Sequence, residues 1–64
     1  MTALRLNKKL REKRKMKQQE LADMLKVDRT TVTKWESGDA LPRAGMLPVI
    51  ATALKCKIDD LLVE

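Results

Sequence analysis

The sequence predicts a small all-α domain, and three observations support this fold class. Outside one stretch the chain consists mainly of residues with high helix propensity, above all Leu, Lys, Glu, Gln and Ala. All four helix-breaking residues lie within residues 38–48, as Gly38, Pro42, Gly45 and Pro48. No segment alternates β-branched and polar residues, and Tyr and Phe are absent. With 64 residues, the chain has room for one domain, over residues 1–64.

Apolar residues at helical spacing predict five short helices. In chain order, these helices cover about residues 5–14, 18–25, 29–37, 47–54 and 58–62. Asp28 is a good N-cap for the third helix, and Gly38 is a good residue to end it. Pro48 suits the first turn of the fourth. Only residues 26–28 separate the second and third helices, so these two helices must cross at a large angle.

Positive charge is concentrated at the start of the chain. The net charge is +5, but residues 1–17 hold eight basic residues and one acidic residue, a net +7. This distribution favours a polyanionic partner, either nucleic acid or an anionic membrane surface. An ordinary solvated helix with additional lysines would have the same composition, so charge alone leaves both interpretations open.

The composition argues against several classes of protein. The chain has no His, and its one cysteine can form neither an internal disulfide nor a zinc site. We therefore expect no enzymatic activity, metal, cofactor or small-molecule ligand. No apolar run approaches the ~20 residues that span a bilayer, so we expect no membrane association and a cytoplasmic location. We expect Trp35, Met16 and Met24 in the core, together with Cys56 as a small buried apolar residue.

The third predicted helix carries the most informative pattern. At about 100° per residue, Val32 and Trp35 define a buried face with Glu36 at its edge. The opposite side presents short hydroxyls and two long cations, without an acidic residue: Arg29, Thr30, Thr33, Lys34 and Ser37. Such a surface suits the major groove of DNA, where Arg and Lys donate to guanine and Thr offers a hydroxyl and a methyl group. The alternative is an ordinary polar surface helix.

Residues 18–37, QQELADMLKVDRTTVTKWES, resemble the helix-turn-helix of the phage repressor and Cro-like family, regulators of the xenobiotic-response-element type. Apolar residues fall at the family's apolar positions, and Ala22 occupies the place where a small residue lets the two helices approach. The later segment ALKCKIDDLL is similar to the family's closing pattern. The resemblance covers about residues 6–62. It implies a compact five-helix domain of the lambda-repressor-like type, in which helices 2 and 3 form the motif.

The resemblance also implies roles for individual residues. Four side chains of the third helix would read bases: Arg29, Thr30, Thr33 and Lys34. Four residues would contact the DNA backbone: Gln18, Thr31, Ser37 and Arg43. Lys17 stands where the family usually has a Ser or Thr cap for helix 2, and we expect it to add a phosphate contact instead. Arg11 would form a structural pair with Glu36, with a direct phosphate contact as the alternative role for Arg11. Lys15 and Lys26 stand where the family commonly has glycine, which predicts a left-handed backbone at both positions.

As a whole, the resemblance implies a sequence-specific regulator of transcription that binds double-stranded DNA. It would be a repressor of phage or mobile-element type, acting on the bacterial nucleoid. We expect a homodimer on a palindromic operator whose half-sites lie about one helical turn apart. The alternative function is an antitoxin or adaptor that uses the same fold mainly to bind another protein.

Overall fold

The computed structural model describes residues 4–64, which form a mostly helical domain with a small sheet. In this part of the chain there are four α-helices, two single-turn 3-10 helices and one two-stranded antiparallel sheet. The order is β1 (Arg5–Leu6), α1 (Lys8–Lys13), α2 (Gln18–Leu25), α3 (Arg29–Ser37), a 3-10 turn (Ala44–Met46), α4 (Leu47–Leu54), a second 3-10 turn (Ile58–Asp60) and β2 (Leu62–Val63). Within residues 4–64, no helix has the length and apolar character needed to cross a membrane.

The first predicted helix is shorter than expected, because its first residues form a strand. Leu6 pairs with Leu62 in the antiparallel sheet and is only 1% exposed. Asn7 then separates the strand from α1. Its N–H donates to the carbonyl oxygen of Leu61 at 2.7 Å, while its side-chain Oδ1 accepts from Lys9 N–H at 3.2 Å and caps the helix. The spacing of Leu6 and Leu10 therefore reflects burial on one side of the domain and not one continuous helix.

The fifth predicted helix is not an α-helix, and the all-α, five-helix prediction is wrong in this respect. Residues 58–60 form a single 3-10 turn. Leu62 and Val63 pair with β1, so their backbone groups bond to another segment and not to a preceding helical turn. The apolar spacing of Ile58, Leu61 and Leu62 fits a helix equally well, and only the pairing between the chain's two ends distinguishes the alternatives.

The three remaining helices begin and end where the sequence predicts them. Pro48 lies in the first turn of α4, and Gly38 ends α3 with a φ of 89°. Asp28 is the N-cap residue of α3 by backbone conformation, but its carboxylate makes no capping hydrogen bond, contrary to expectation. Asn7 provides the side-chain cap that sequence reasoning did not identify.

The core lies between α2, α3, α4 and the two strands. Ten apolar residues are buried there: Leu6, Leu21, Ala22, Leu25, Val32, Trp35, Ile50, Ala51, Leu54 and Leu61. Met16 and Cys56 pack against this cluster and are partly buried. Met24 is 56% exposed, so its expected place in the core is wrong. Burial raises the pKa of the Cys56 thiol above its ordinary value, with a smaller contribution from the nearby Asp60.

Three lysines have the left-handed backbone conformation that favours glycine. Lys15 and Lys26 have φ values of 56° and 59°, in agreement with their places in the family pattern. Lys55, at the end of α4, has a φ of 52° and was not anticipated. Each of these residues ends a helical segment where a Cβ atom is unfavourable.

Replacing Lys26 by glycine is expected to stabilise the domain by about 0.5–1 kcal/mol, because glycine adopts this conformation without strain. For a domain of this size the melting temperature should rise by about 2–8 °C. Lys26→Ala is the matched control, since it removes the same charge but retains a Cβ atom. Thermal unfolding followed by circular dichroism measures both variants. Equal melting temperatures for Gly and Ala would contradict the strain argument.

Candidate nucleic-acid interface

A tight turn joins α2 to α3 and sets the angle between them. The N–H of Val27 donates to the carbonyl of Ala22 at 3.0 Å, and the N–H of Lys26 donates to that of Asp23 at 3.3 Å. These bonds satisfy carbonyls that the end of α2 would otherwise leave unpaired. The side chain of Val27 packs against the core, and Ala22 is fully buried. The turn therefore anchors the start of α3 to the body of the domain.

The outer face of α3 is cationic. Val32, Trp35 and Glu36 are buried, and the exposed residues of the helix are Arg29, Thr30, Thr33, Lys34 and Ser37. None of these exposed residues is acidic. Among residues 4–64, neither Arg29 nor Lys34 takes part in a salt bridge. Both charged groups can therefore meet a ligand without first breaking an ion pair.

Arg11 and Glu36 form a salt bridge behind this face. Arg11 Nε donates to Glu36 Oε2 at 2.7 Å, and Arg11 Nη2 donates to Glu36 Oε1 at 3.1 Å. Arg11 Nη1 also donates to the carbonyl of Met16 at 2.6 Å. The hydrogen bond to Glu36 raises the pKa of Arg11 above its ordinary value. The pair ties α1 to the last turn of α3, and three of the five N–H groups of the guanidinium are used inside the protein.

Gln18, the first residue of α2, extends this network to the exposed face. Its Nε2 donates to Glu36 Oε1 at 3.0 Å, and its Oε1 accepts from Thr33 Oγ1 at 2.9 Å. Thr33 Oγ1 also lies 3.1 Å from the carbonyl of Arg29. Gln18 and Thr33 are fifteen residues apart in the chain. No pattern in the sequence links these two residues, so the contact becomes visible only in the folded domain.

The N-terminus of α2 lies beside Lys17, which is exposed. The backbone N–H of Lys17 donates to Glu20 Oε1 at 2.9 Å, so this N–H is already paired. The N–H groups of the first helical turn, together with the Lys17 ammonium and the second hydrogen of the Gln18 amide, remain for an anion. The carboxylate of Glu20 reduces the positive potential at this end of the helix, which sequence reasoning did not consider.

The other residues expected at the DNA backbone differ in their surroundings. Thr31 is half-buried in the first turn of α3. Ser37 Oγ lies 3.1 Å from both Asp39 Oδ2 and the carbonyl of Lys34, so its single hydrogen is used within the chain. Asp39 also places a carboxylate beside Ser37, which disfavours a phosphate there. Arg43 is exposed just before the first 3-10 turn and, within the described residues, has no salt bridge.

The sequence profile described as helix-turn-helix matches residues 8–61, which contain α1 to α4 and the last 3-10 turn. The chain belongs to the helix-turn-helix family. The match is to the Cro/C1 type of this family. Proteins of this class are regulators that bind DNA with the second helix of the motif.

This helix-turn-helix chain is also similar to a curated protein, the HTH-type transcriptional activator BcrR of Enterococcus faecalis. The two are 40% identical over 53 residues, which represent 83% of this chain and 26% of that protein. The chain thus spans about a quarter of the length of this relative.

Proposed function

We propose that this helix-turn-helix protein regulates transcription by binding a specific sequence in double-stranded DNA, with α3 in the major groove. The observation that carries the proposal is the exposed face of α3, which has no acidic side chain and whose Arg29 and Lys34 form no salt bridge with any residue from 4 to 64. The turn before α3 holds this face at a set angle to α2. A cationic surface on an ordinary solvated helix would not require that anchoring.

Base recognition follows from the side chains on this face. Arg29 is the first residue of α3, where a long side chain reaches furthest into the groove, and its guanidinium can donate two hydrogen bonds to guanine O6 and N7. Lys34, about one helical turn later, can donate to O6 and N7 of another guanine. Thr30 offers a hydroxyl and a methyl group, and the methyl group can contact thymine.

Backbone contacts position the domain on the duplex. We place one phosphate at the N-terminus of α2, held by free N–H groups and by Lys17 and Gln18. Arg43, exposed in the loop after α3, provides a second cation that can approach the backbone or the minor groove. Thr31 and Ser37 are assigned weaker contacts, and Ser37 can only accept while its hydrogen is bound within the chain. The excess positive charge of residues 1–17 adds long-range attraction to DNA.

The protein is proposed to bind as a homodimer. A single domain contacts few bases, and a palindromic site bound by two copies doubles the number of contacts. Three large apolar side chains after α3 are about half exposed and are candidates for the dimer contact: Leu41, Val49 and Ile58. The half-sites would then be about one helical turn, 10–10.5 bp, apart.

The direction of regulation stays a prediction. The expectation from sequence is a repressor of phage or mobile-element type, whereas the similar protein from Enterococcus faecalis is an activator. A reporter with the operator placed inside or upstream of the promoter distinguishes the two modes. The alternative function, an adaptor that mainly binds protein, predicts that substitutions on the outer face of α3 leave partner binding unchanged.

A selection from random duplex DNA at about 100 mM salt tests the proposal, because nonspecific phosphate binding is already weakened at that concentration. We expect enrichment of an inverted repeat with half-sites about one turn apart. If each subunit neutralises about five phosphates, the dimer neutralises about ten. The logarithm of its binding constant should then fall with the logarithm of the salt concentration at a slope near −9. Retention of DNA without any enriched sequence would contradict sequence-specific regulation and favour the protein-binding alternative.

A further inference from the structure

We propose that Thr33 meets the major groove as a hydrogen-bond acceptor only, and so selects an exocyclic amino group, adenine N6 or cytosine N4, at one base pair in each half-site. This inference rests on the proposed function and adds the chemical group that one side chain recognises. A threonine hydroxyl can ordinarily act as a hydrogen-bond donor or as an acceptor. Here a series of hydrogen bonds that begins at Arg11 determines that the Thr33 hydroxyl accepts.

The first acceptor in this series of hydrogen bonds is the carboxylate of Glu36. Arg11 donates two hydrogen bonds to Glu36, one to each oxygen, at 2.7 and 3.1 Å. A salt-bridged carboxylate carries no hydrogen of its own, so any further neighbour of Glu36 must be a donor. Glu36 is 8% exposed, which keeps water from replacing that neighbour.

This carboxylate determines how the Gln18 amide is turned. The amide nitrogen of Gln18 lies 3.0 Å from Glu36 Oε1. The reverse orientation would put the amide oxygen against the carboxylate, where two acceptors repel each other. The amide oxygen of Gln18 therefore faces Thr33, with its Oε1 at 2.9 Å from Thr33 Oγ1.

The hydroxyl of Thr33 has one hydrogen and two acceptors around it. These acceptors are Gln18 Oε1 at 2.9 Å and the carbonyl oxygen of Arg29 at 3.1 Å. Neither can donate, so the hydrogen is used inside the protein whichever of them receives it. Only lone pairs of Oγ1 remain for an approaching ligand. Facing the groove, they match the amino groups of adenine and cytosine and repel guanine O6, guanine N7 and thymine O4.

The first step of the test identifies the base pair that Thr33 contacts. Thr33→Val removes the hydroxyl and keeps the side-chain shape, so selection with this variant should lose its preference at one position per half-site. Thr52→Val is the matched control, because Thr52 Oγ1 makes the same kind of bond in α4, to the carbonyl of Pro48 at 2.9 Å. This control lies outside the proposed interface and should select the unaltered operator.

The second step removes single groups from that base pair. Purine in place of adenine, or 2-pyrimidinone in place of cytosine, deletes the amino group, whereas 7-deazaadenine or 7-deazaguanine deletes the acceptor N7. Deleting the amino group should weaken binding of the unmodified protein by about fivefold more per half-site than it weakens binding of Thr33→Val. Comparison with the valine variant removes the effect of the analogue on the duplex itself.

Each result bears on a defined claim. An operator whose affinity is insensitive to loss of the amino group but sensitive to loss of N7 would overturn the acceptor role of Thr33. A Thr33→Val variant that selects the unaltered operator would overturn it as well. Failure of the unmodified protein to enrich any sequence would instead overturn the proposed function, and this inference with it.

Discussion

Replacing Arg29 by alanine is expected to weaken binding to the selected operator at least about 30-fold and to remove the base preference at the position it reads. A bidentate contact between arginine and guanine contributes about 1–3 kcal/mol of discrimination, and a homodimer makes the contact twice. Arg29 has no salt bridge within residues 4–64, so its guanidinium breaks no ion pair of the free protein when it binds DNA. The whole contact energy is therefore lost in the alanine variant. Fluorescence anisotropy with the selected duplex and with a scrambled duplex measures both effects. Lys34→Ala should behave similarly, with a smaller loss because lysine donates as a point charge.

Arg43→Ala is the informative comparison, because it removes the same charge from a residue assigned to the DNA backbone. It should weaken binding to both duplexes by a similar factor and reduce the salt slope by about 2 for the dimer. Arg5→Ala, in β1, removes a charge that contributes only to long-range attraction, so it should weaken binding to both duplexes equally and by less than Arg43→Ala. If Arg29→Ala and Arg43→Ala reduced affinity for the two duplexes in the same proportion, Arg29 would be a phosphate contact and the assignment of base reading to it would be wrong.

Replacing Glu36 by alanine is expected to destabilise the domain by about 3 kcal/mol, because it leaves the Arg11 guanidinium and the Gln18 amide without their partner. A single core of this size supplies only about 3–5 kcal/mol in total, so a large unfolded fraction is expected at 25 °C. Trp35 is buried and is the sole aromatic residue of the chain, so its fluorescence reports unfolding in urea.

Two further variants separate charge burial from simple loss of contact. The double variant Arg11→Met with Glu36→Leu removes both charges, and it should recover much of the lost stability because no buried charge is left unpaired. Glu20→Ala removes an exposed carboxylate that accepts from the N–H of Lys17, and should cost about 1 kcal/mol or less. An unfolding free energy of Glu36→Ala within about 0.5 kcal/mol of the unmodified chain would show that the pair contributes little.

The contribution of Arg11 should not depend on pH in the usual experimental range. Its pKa is raised by the hydrogen bond to Glu36, so the folded state favours the charged form. The resulting stability is fully present below the ordinary pKa of arginine and is lost only as the pH rises through the raised value. Urea unfolding between about pH 6 and 9 should therefore give the same difference between the unmodified chain and Arg11→Met.

Elements specified by nearby residues were predictable from the sequence. Helices α2, α3 and α4 appear at the predicted residues, because each combines helical apolar spacing with an end signal such as Gly38 or Pro48. The outer face of α3 was equally predictable, since burial of Val32 and Trp35 determines which side chains of one rigid helix point outward. Family resemblance added the left-handed conformation of Lys15 and Lys26.

Features that depend on residues far apart in the chain became visible only in the folded domain. Leu6 and Leu62 fit helices by their spacing, and they form strands because the two ends of the chain meet and exchange backbone hydrogen bonds. The contact between Gln18 and Thr33 likewise depends on how α2 and α3 cross, and on the orientation that Glu36 imposes on an amide. Spacing along a chain specifies which side of an element is apolar. Hydrogen-bond direction is specified only when donors and acceptors from different elements are brought within about 3 Å of each other.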